Sequence, residues 1–328
     1  MSVFFFIVVV AVPLSALTIK MGTLVPPGSS WDQSLKKLAA DWARLSKGKI
    51  VLKIYSGGRA GDEPDMLRKL RFNQLQAVGL TMVGLSQVFG GIMAPAVPMM
   101  IQDPDELLYV LDKMKPLIER EFEKKGFKVL FWNMAGWGHF FSRRPIIYPA
   151  DLKSQRMFIM EGNPKETKAW KQLGFKPVTF TMMDLLLQLQ SGGVDVFVSN
   201  PIMAAANQWF GVAKNMTAFR WAPIYGAFVI SRKTWNRIPK QFHEGMLEAA
   251  QRCAARMDVD ILKANSEAVQ IMKKYGLTIH DVPQDAIDEW KSFIKKGLDL
   301  FVGGKFDIKY FYQAEEFVNE YKRLHGRK

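Results

Sequence analysis

Alternating and helical patterns of apolar side chains follow one another along the chain. Residues 18–24 and 49–57 alternate apolar and polar side chains, which predicts two strands. Between them, residues 31–46 place apolar side chains three and four positions apart, which predicts a helix with one buried face. A strand, a helix and a strand in this order favour a parallel sheet covered by helices, and hence an α/β fold.

A long helical pattern occupies the C-terminal third of the chain. From Pro239 to about Tyr275 the apolar side chains keep helical spacing, and Gly245 is the only interior helix breaker. At about 1.5 Å per residue, such a helix would be roughly 50 Å long. We expect it to bridge two lobes, because it is longer than one small domain is wide. The length of 328 residues also favours two domains over one.

The N-terminus carries an apolar run that differs from the rest of the chain. Residues 3–12 are apolar and are followed by Pro13 and the small pair Ser15-Ala16. The run is short for a bilayer span, so we interpret residues 1–16 as a secretory signal peptide with cleavage near Ala16. No lysine or arginine precedes the run, so a buried strand and an uncleaved membrane tether remain alternatives. The expected location is the periplasm.

The net charge of +14 allows two interpretations. One is binding to nucleic acid or anionic lipid, and the other is a solvated basic surface. The lysine and arginine side chains are spread from Lys20 to Lys328, and no recognition motif accompanies them. This distribution favours a solvated surface, so we expect no nucleic-acid partner.

No motif in the sequence indicates catalysis. The four histidines are not spaced as metal ligands, and the GxSxG and HExxH patterns do not occur. We therefore predict no enzyme, no metal and no cofactor, which leaves a binding protein as the favoured class. An enzyme on a related fold remains the alternative of another class.

Four stretches of the chain, in order, are TIKMGTLVPPGSSWDQ, KIVLKIYSGGRAGDEPDML, RRPIIYPADLKSQRMFIM and GGVDVFVSNP. In this order they resemble the substrate-binding proteins of TRAP (tripartite ATP-independent periplasmic) transporters, the DctP-like family. Each stretch is weak alone, but the ordered series from residue 18 to about 275 is fairly specific. The resemblance implies a two-lobed periplasmic-binding-protein fold, with a ligand cleft between the lobes and a long bridging helix. It also implies delivery of the bound solute to the permease subunits in the membrane.

We divide the chain accordingly. The first lobe is predicted to comprise residues 17–137 and about 226–260. The second lobe is predicted to comprise residues 138–225 and about 261–328, with the helix at 239–275 shared between the lobes.

The chain departs from the family at three positions that matter for the ligand. The resemblance places Phe158 where the family usually has the arginine that pairs with the ligand carboxylate. Trp137 stands at a second position that often holds arginine, and Val198 stands where glutamate is usual. A buried carboxylate without a partner is costly. We therefore expect a mainly hydrophobic or amphipathic ligand.

The predicted ligand-binding residues combine these departures with nearby aromatic and polar side chains. They are Phe158, Trp137, Val198, Asn200, Trp132, His139, Trp209, Trp221 and Arg156. The alternative within the same family is a carboxylate (organic acid) binder, in which Arg143, Arg156 or Arg220 replaces the missing arginine. Some members of the family work with a helical-repeat partner of the TPR type, and an apolar cargo would favour such a hand-off.

Overall fold

The computed structural model describes residues 16–162, 164–259, 261–302 and 306–326. All but the last residue of the predicted signal peptide therefore lies outside the described residues. The described strands are β1 (Leu17–Thr23), β2 (Ile50–Tyr55), β3 (Ala77–Thr81), β4 (Phe127–Ser142), β5 (Arg156–Met160), β6 (Lys176–Phe180), β7 (Val196–Ser199), β8 (Asn215–Thr217), β9 (Ala222–Ser231) and β10 (Thr278–His280).

The helices cover both faces of these strands. They are α1 (Ser30–Leu45), α2 (Glu63–Arg71), α3 (Met82–Leu85), α4 (Pro104–Lys124), α5 (Pro149–Lys153), α6 (Pro164–Gln172), α7 (Leu185–Ser191), α8 (Pro201–Ala206), α9 (Arg232–Trp235), α10 (His243–Asp258), α11 (Ile261–Lys274), α12 (Gln284–Val302) and α13 (Ile308–Leu324). Short 3-10 turns occur at Gly90–Ala96, Met182–Asp184, Trp209–Gly211 and Lys240–Phe242.

The strands form one mixed sheet in the order β2-β1-β3-β9-β4-β7-β5-β6, with β8 and β10 paired beside β4. β1 runs parallel to β2 and β3, whereas β9 is antiparallel to both β3 and β4. The predicted α/β class with a parallel strand–helix–strand unit is confirmed. We call the half built on β1, β2, β3, β9 and residues 127–138 of β4 the first lobe, and the half built on β5, β6, β7, β8 and β10 the second lobe.

β4 connects the two lobes as a single strand of 16 residues. Its first part pairs with β9 as far as Gly138, and its last residues, His139–Ser142, pair with β7. The register shifts between Met134 and Gly136, where Gly136 has a φ of 93°. An irregularity of this kind bends a strand locally, so it places a bend between the lobes.

The predicted bridging helix corresponds to α10 and α11. α10 begins at His243, after a 3-10 turn, and packs against α1 and β4. α11 packs against α8 of the second lobe and against β4. Val259 keeps helical dihedral angles between the two helices, next to residue 260, which lies outside the described residues. The segment thus connects both lobes.

The packing of α13 differs from the predicted lobe boundary. Ala314 and Val318 belong to the same buried cluster as Ile118 of α4, and Lys113 of α4 forms an ion pair with Glu320 at 3.2 Å. The C-terminal helix therefore packs on the first lobe, although the boundary predicted from the sequence placed it in the second. The remaining boundaries stay predictions. Among the described residues, no helix has the length and apolar character needed to cross a membrane.

Candidate functional site

A cavity of about 280 Å³ lies between the two lobes. The first lobe contributes the ends of β1 and β3 together with parts of β4 and β9, and the second lobe contributes β5, β7 and α6. Thr23, Thr81, Met160 and Ser199 line the cavity, and each lies at the carboxyl end of its strand. Open α/β sheets commonly bind ligands outside the carboxyl ends of their strands, so we consider this cavity the candidate binding site.

Aromatic side chains form much of the cavity wall. The first lobe contributes Trp31, in the first turn of α1, and Phe228 of β9, and the second lobe contributes Phe158, Trp170 and Trp221. Sequence reasoning missed Trp31 and Trp170 as lining residues. Both occur on the apolar face of their helix, where an ordinary core position gives the same signal.

Five of the nine predicted site residues line the cavity: Phe158, Val198, Asn200, Trp209 and Trp221. Phe158 is 7% exposed. The amide of Asn200 is already engaged, because its nitrogen donates to the carbonyl of Ala135 at 2.7 Å and its oxygen accepts from the Met203 backbone N–H at 2.9 Å. Asn200 thus holds the bend of β4 and caps α8. Direct ligand binding by these five residues stays a prediction.

Three other predicted residues, Trp137, Trp132 and His139, do not line the cavity. The indole N–H of Trp137 donates to the carbonyl of Ile101, and that of Trp132 donates to Glu119 at 2.7 Å. Nδ1 of His139 lies 3.0 Å from the Thr217 carbonyl, and burial lowers the pKa of its imidazole. These hydrogen bonds hold the three rings away from the cavity.

Arg156 also lies away from the cavity lining. Its guanidinium forms a bidentate ion pair with Asp195, with distances of 2.8 and 2.9 Å. The hydrogen bonds from Arg156 lower the pKa of Asp195. The pair joins the start of β5 to the turn before β7, so Arg156 has a structural role there.

The other two arginines considered as replacements are engaged elsewhere as well. Arg143 donates to the Leu189 carbonyl and lies near Asp195, and Arg220 donates to the Gln102 carbonyl while covering the ring of Trp137. No lysine or arginine lines the cavity within the part of the chain that the structure describes. The expected relocation of an arginine into the wall is therefore not observed for any of the three.

The charged groups among the described lining residues are Glu63 and Glu166. Glu63 is 1% exposed, and its two oxygens accept from the backbone N–H of Thr81 at 2.6 Å and from its hydroxyl at 2.8 Å. Burial raises the pKa of Glu63 to about 7, although the Thr81 hydrogen bonds oppose the shift.

Neutral polar groups complete the wall. Asn133 and Ser199 line the cavity from β4 and β7. Both side chains can donate hydrogen bonds without carrying a charge. No cluster of three or more potential metal ligands occurs among the described residues. The geometry therefore fits an enclosed small molecule with a large apolar surface and a few hydrogen-bonding groups.

Comparison with known proteins connects this architecture to one family. The family model for bacterial extracellular solute-binding proteins, family 7, matches residues 21–302. A solute-binding protein of Sulfitobacter sp. strain NAS-14.1 is 25% identical over 259 residues, which is 75% of this chain and 77% of that protein.

Two solved structures share the fold. The TRAP periplasmic solute-binding protein of Shewanella oneidensis superposes with a TM-score of 0.85 at 15% identity, over 93% of this chain and 100% of that chain. The protein of the same type from Haemophilus influenzae has a TM-score of 0.83 at 19% identity, over 94% and 99%.

Proposed function

Because the chain belongs to family 7 of the bacterial extracellular solute-binding proteins, we propose that it is the extracytoplasmic solute-binding component of a TRAP-type transporter. It captures a solute in the cavity between its lobes and delivers it to the permease subunits in the membrane. The cavity between the lobes, at the carboxyl ends of the strands, is the observation that carries this proposal. We place it in the periplasm, and its membership of an extracellular solute-binding family supports this location.

The comparisons favour a carboxylate as the ligand. The related structures from Shewanella oneidensis and Haemophilus influenzae are named with bound succinate and bound L-gulonate, respectively. These names support the alternative considered from the sequence, an organic-acid binder, over a purely hydrophobic ligand. In this chain, however, such an acid would have to be held without Arg143, Arg156 or Arg220.

The cavity wall favours a ligand with a large apolar part. Phe158, Trp170, Trp221 and Phe228 line it, and no described lining residue carries a positive charge. Burial of apolar surface contributes roughly 25 cal/mol per Å², so a small, highly charged dicarboxylate would gain little here. A carboxylate with a sizeable apolar body satisfies both observations, since Asn133 and Ser199 supply neutral donors for its acid group.

The identity of the released solute tests this proposal. The purified protein is unfolded, and the small molecules that it releases are identified by mass spectrometry. An aliphatic or aromatic acid is the expected result. Release of a sugar acid or a small dicarboxylate would support an organic acid as the ligand but would contradict the proposal that this acid has a large apolar part. Release of an uncharged apolar molecule would contradict the proposal that the ligand carries a carboxylate group.

The helical-repeat partner protein that we considered from the sequence also remains a prediction. It would receive a poorly soluble cargo before the permease does. A pull-down with the tagged protein from detergent-solubilised cells should then recover such a protein, and recovery of the permease alone would count against it.

A further inference from the structure

The two lobes meet around the N-terminus of α2. Asp62 of the first lobe accepts a hydrogen bond from the backbone N–H of Met182 in the second lobe at 2.6 Å, across 120 positions of the sequence. Asp62 is 6% exposed. Its neighbour Glu63 lines the cavity on one side of this contact, and Met182 lines it on the other. The hydrogen bond therefore lies where the cavity wall passes from one lobe to the other.

Two glycines allow the lobes to approach closely at the same place. A Cβ atom at Gly58 of the first lobe would lie 2.5 Å from the sulfur of Met183, and one at Gly162 of the second lobe would lie 2.9 Å from Pro64. Real Cβ atoms do not make contacts this short. A side chain at Gly162 would therefore have to displace Pro64, whereas one at Gly58 would displace the exposed side chain of Met183. The contact between the lobes thus combines close packing with one buried hydrogen bond.

The carboxylate of Asp62 is held in place before it meets the second lobe. Its Oδ1 accepts from the Glu63 backbone N–H at 2.8 Å and caps α2, which directs Oδ2 towards Met182. Met182 is the first residue of the turn at 182–184, and an N–H at that position has no partner within its own turn. Each group therefore needs the other lobe to complete its hydrogen bonding.

We propose that Asp62 is a closure latch, a positioning residue whose carboxylate holds the lobes together over the bound solute through the Met182 N–H. The inference rests on the solute-binding function proposed above. Because Met182 also lines the cavity, a solute that packs against its side chain places its N–H on Asp62. Closure and occupancy of the cavity are thereby coupled at one residue.

Two substitutions remove the hydrogen bond from opposite sides. Asp62→Asn keeps a good helix cap, but its single amide oxygen cannot serve both N–H groups, and its NH₂ group would face the Met182 N–H. Met182→Pro removes the donor itself. Proline suits the first position of a helical turn, and the preceding Thr181 already has the extended backbone (φ −72°, ψ 155°) that a following proline requires.

Matched variants separate the hydrogen bond from other effects of these changes. Met182→Ala shortens the side chain but keeps the N–H group. Asp307→Asn makes the same exchange at the cap of α13, where the carboxylate accepts from the Lys309 N–H. Met182→Ala lacks the same cavity-lining side chain as Met182→Pro, so comparison of these two variants isolates the N–H group. Asp307→Asn should not alter the contact between the lobes.

The experiment measures the distance between the lobes. Cysteines introduced at the exposed positions Lys37 and Lys171 carry spin labels, whereas buried Cys253, whose pKa burial raises to about 12, stays unlabelled. Distances are recorded by pulsed electron paramagnetic resonance, for protein as purified and after unfolding and refolding to remove small molecules. We expect the ratio of closed to open protein to fall about 10- to 100-fold in Asp62→Asn relative to the wild type and in Met182→Pro relative to Met182→Ala. The ratio should stay at the wild-type value in Asp307→Asn.

The outcomes distinguish the latch from the solute-binding function. The latch is overturned if the closed fraction of Asp62→Asn equals that of the wild type, or if that of Met182→Pro equals that of Met182→Ala. A wild type that never populates the shorter distance overturns it as well. Failure of the solute-binding function has another signature, because no small molecule would then be released from the purified wild-type protein.

Discussion

Glu63 is a carboxyl group enclosed at the wall of the cavity. Its hydrogen bonds come from the Thr81 backbone and hydroxyl, and no described lysine or arginine pairs with it. Burial raises the pKa of Glu63 from its ordinary 4.5 to about 7. Between these two values the folded protein binds a proton that the unfolded chain releases, so the stability that protonation provides decreases as the pH rises towards 7.

Glu63→Gln should therefore remove a pH dependence. The wild type loses up to ~3 kcal/mol of unfolding free energy as the pH rises from about 4.5 to 7, while the amide keeps both Thr81 contacts and does not titrate. Urea unfolding at pH 5 and pH 8 measures the difference, and the variant should be the more stable protein at pH 8. Glu315→Gln, at an exposed position of α13, is the control. Equal pH slopes for Glu63→Gln and wild type would contradict the prediction.

Position 158 can distinguish an uncharged apolar ligand from a carboxylate, because the first favours an apolar side chain there and the second a positive charge. Replacement by arginine removes a buried ring, so an uncharged apolar ligand should bind at least about tenfold more weakly. A ligand with a carboxylate should keep or gain affinity, because the guanidinium offers a bidentate partner. Calorimetric titration with the compound released from the wild type measures both cases.

Phe158→Leu provides the matched control for this experiment. It also removes the aromatic ring but introduces no charge. Similar affinities of the arginine and leucine variants would show that the charge at position 158 does not reach the ligand.

At the scale of elements, the bend in β4 lies between the two lobes and is held by side chains from neighbouring helices. The carbonyl of Ala135 accepts from the amides of both Asn200 and Asn265, at 2.7 and 3.2 Å. Asp258 accepts from the backbone N–H of Met134 at 3.0 Å. Side chains from α11 and from the N-terminus of α8 thus support the bend, together with the last residue of α10. A strand irregularity held by three helices is suited to a defined hinge.

Gly136→Ala should lower the free energy of unfolding by distorting this bend. Gly136 has a φ of 93°, and an added Cβ would lie 2.7 Å from the amide nitrogen of Asn265. Gly126→Ala is the matched control, because Gly126 has a φ of 85° and open space around it. Both variants should lose about 1 kcal/mol through the backbone conformation. The additional clash should cost Gly136→Ala a further 1–3 kcal/mol or so, measured as the difference in unfolding free energy. Equal losses would show that Asn265 moves aside freely.

At the scale of the whole molecule, the positive charge and the ligand cavity occupy different places. The net charge is +14, yet within the described chain the cavity wall carries glutamates and no lysine or arginine. Exposed charges are screened by salt over about 10 Å at 0.1 M ionic strength. The basic surface should therefore act on the approach of a charged solute or of the membrane rather than on the closed complex.

Dissociation of the ligand should consequently depend weakly on salt. For the solute released from the wild type, we expect the dissociation rate to change less than about twofold between 0.05 and 0.5 M NaCl, whereas the association rate of an acid should fall. Stopped-flow tryptophan fluorescence measures both rates, since Trp31, Trp170 and Trp221 line the cavity. A dissociation rate that rises steeply with salt would place a basic group in contact with the solute.

The sequence by itself determined the elements and much of their arrangement. Periodicity depends on neighbours in the chain, so the strands β1 and β2 and the helix α1 could be predicted, as could the parallel unit that they form. The ordered series of family-like stretches then predicted the two lobes and the bridging helical segment. It also located Phe158 and Val198, because both stand on strands whose place in the sheet the resemblance supplied.

Only the tertiary structure decided which side chains face the ligand cavity. Alternation gives the side of a strand on which a residue lies, but it does not identify the element that covers that side. Arg156 could thus be expected at the cavity, whereas Asp195, 39 positions away, pairs with it elsewhere. In the same way, Asp62 meets Met182 across 120 positions. Contacts between residues so far apart in the sequence depend on how whole helices and strands pack, and the local pattern of residues does not predict them.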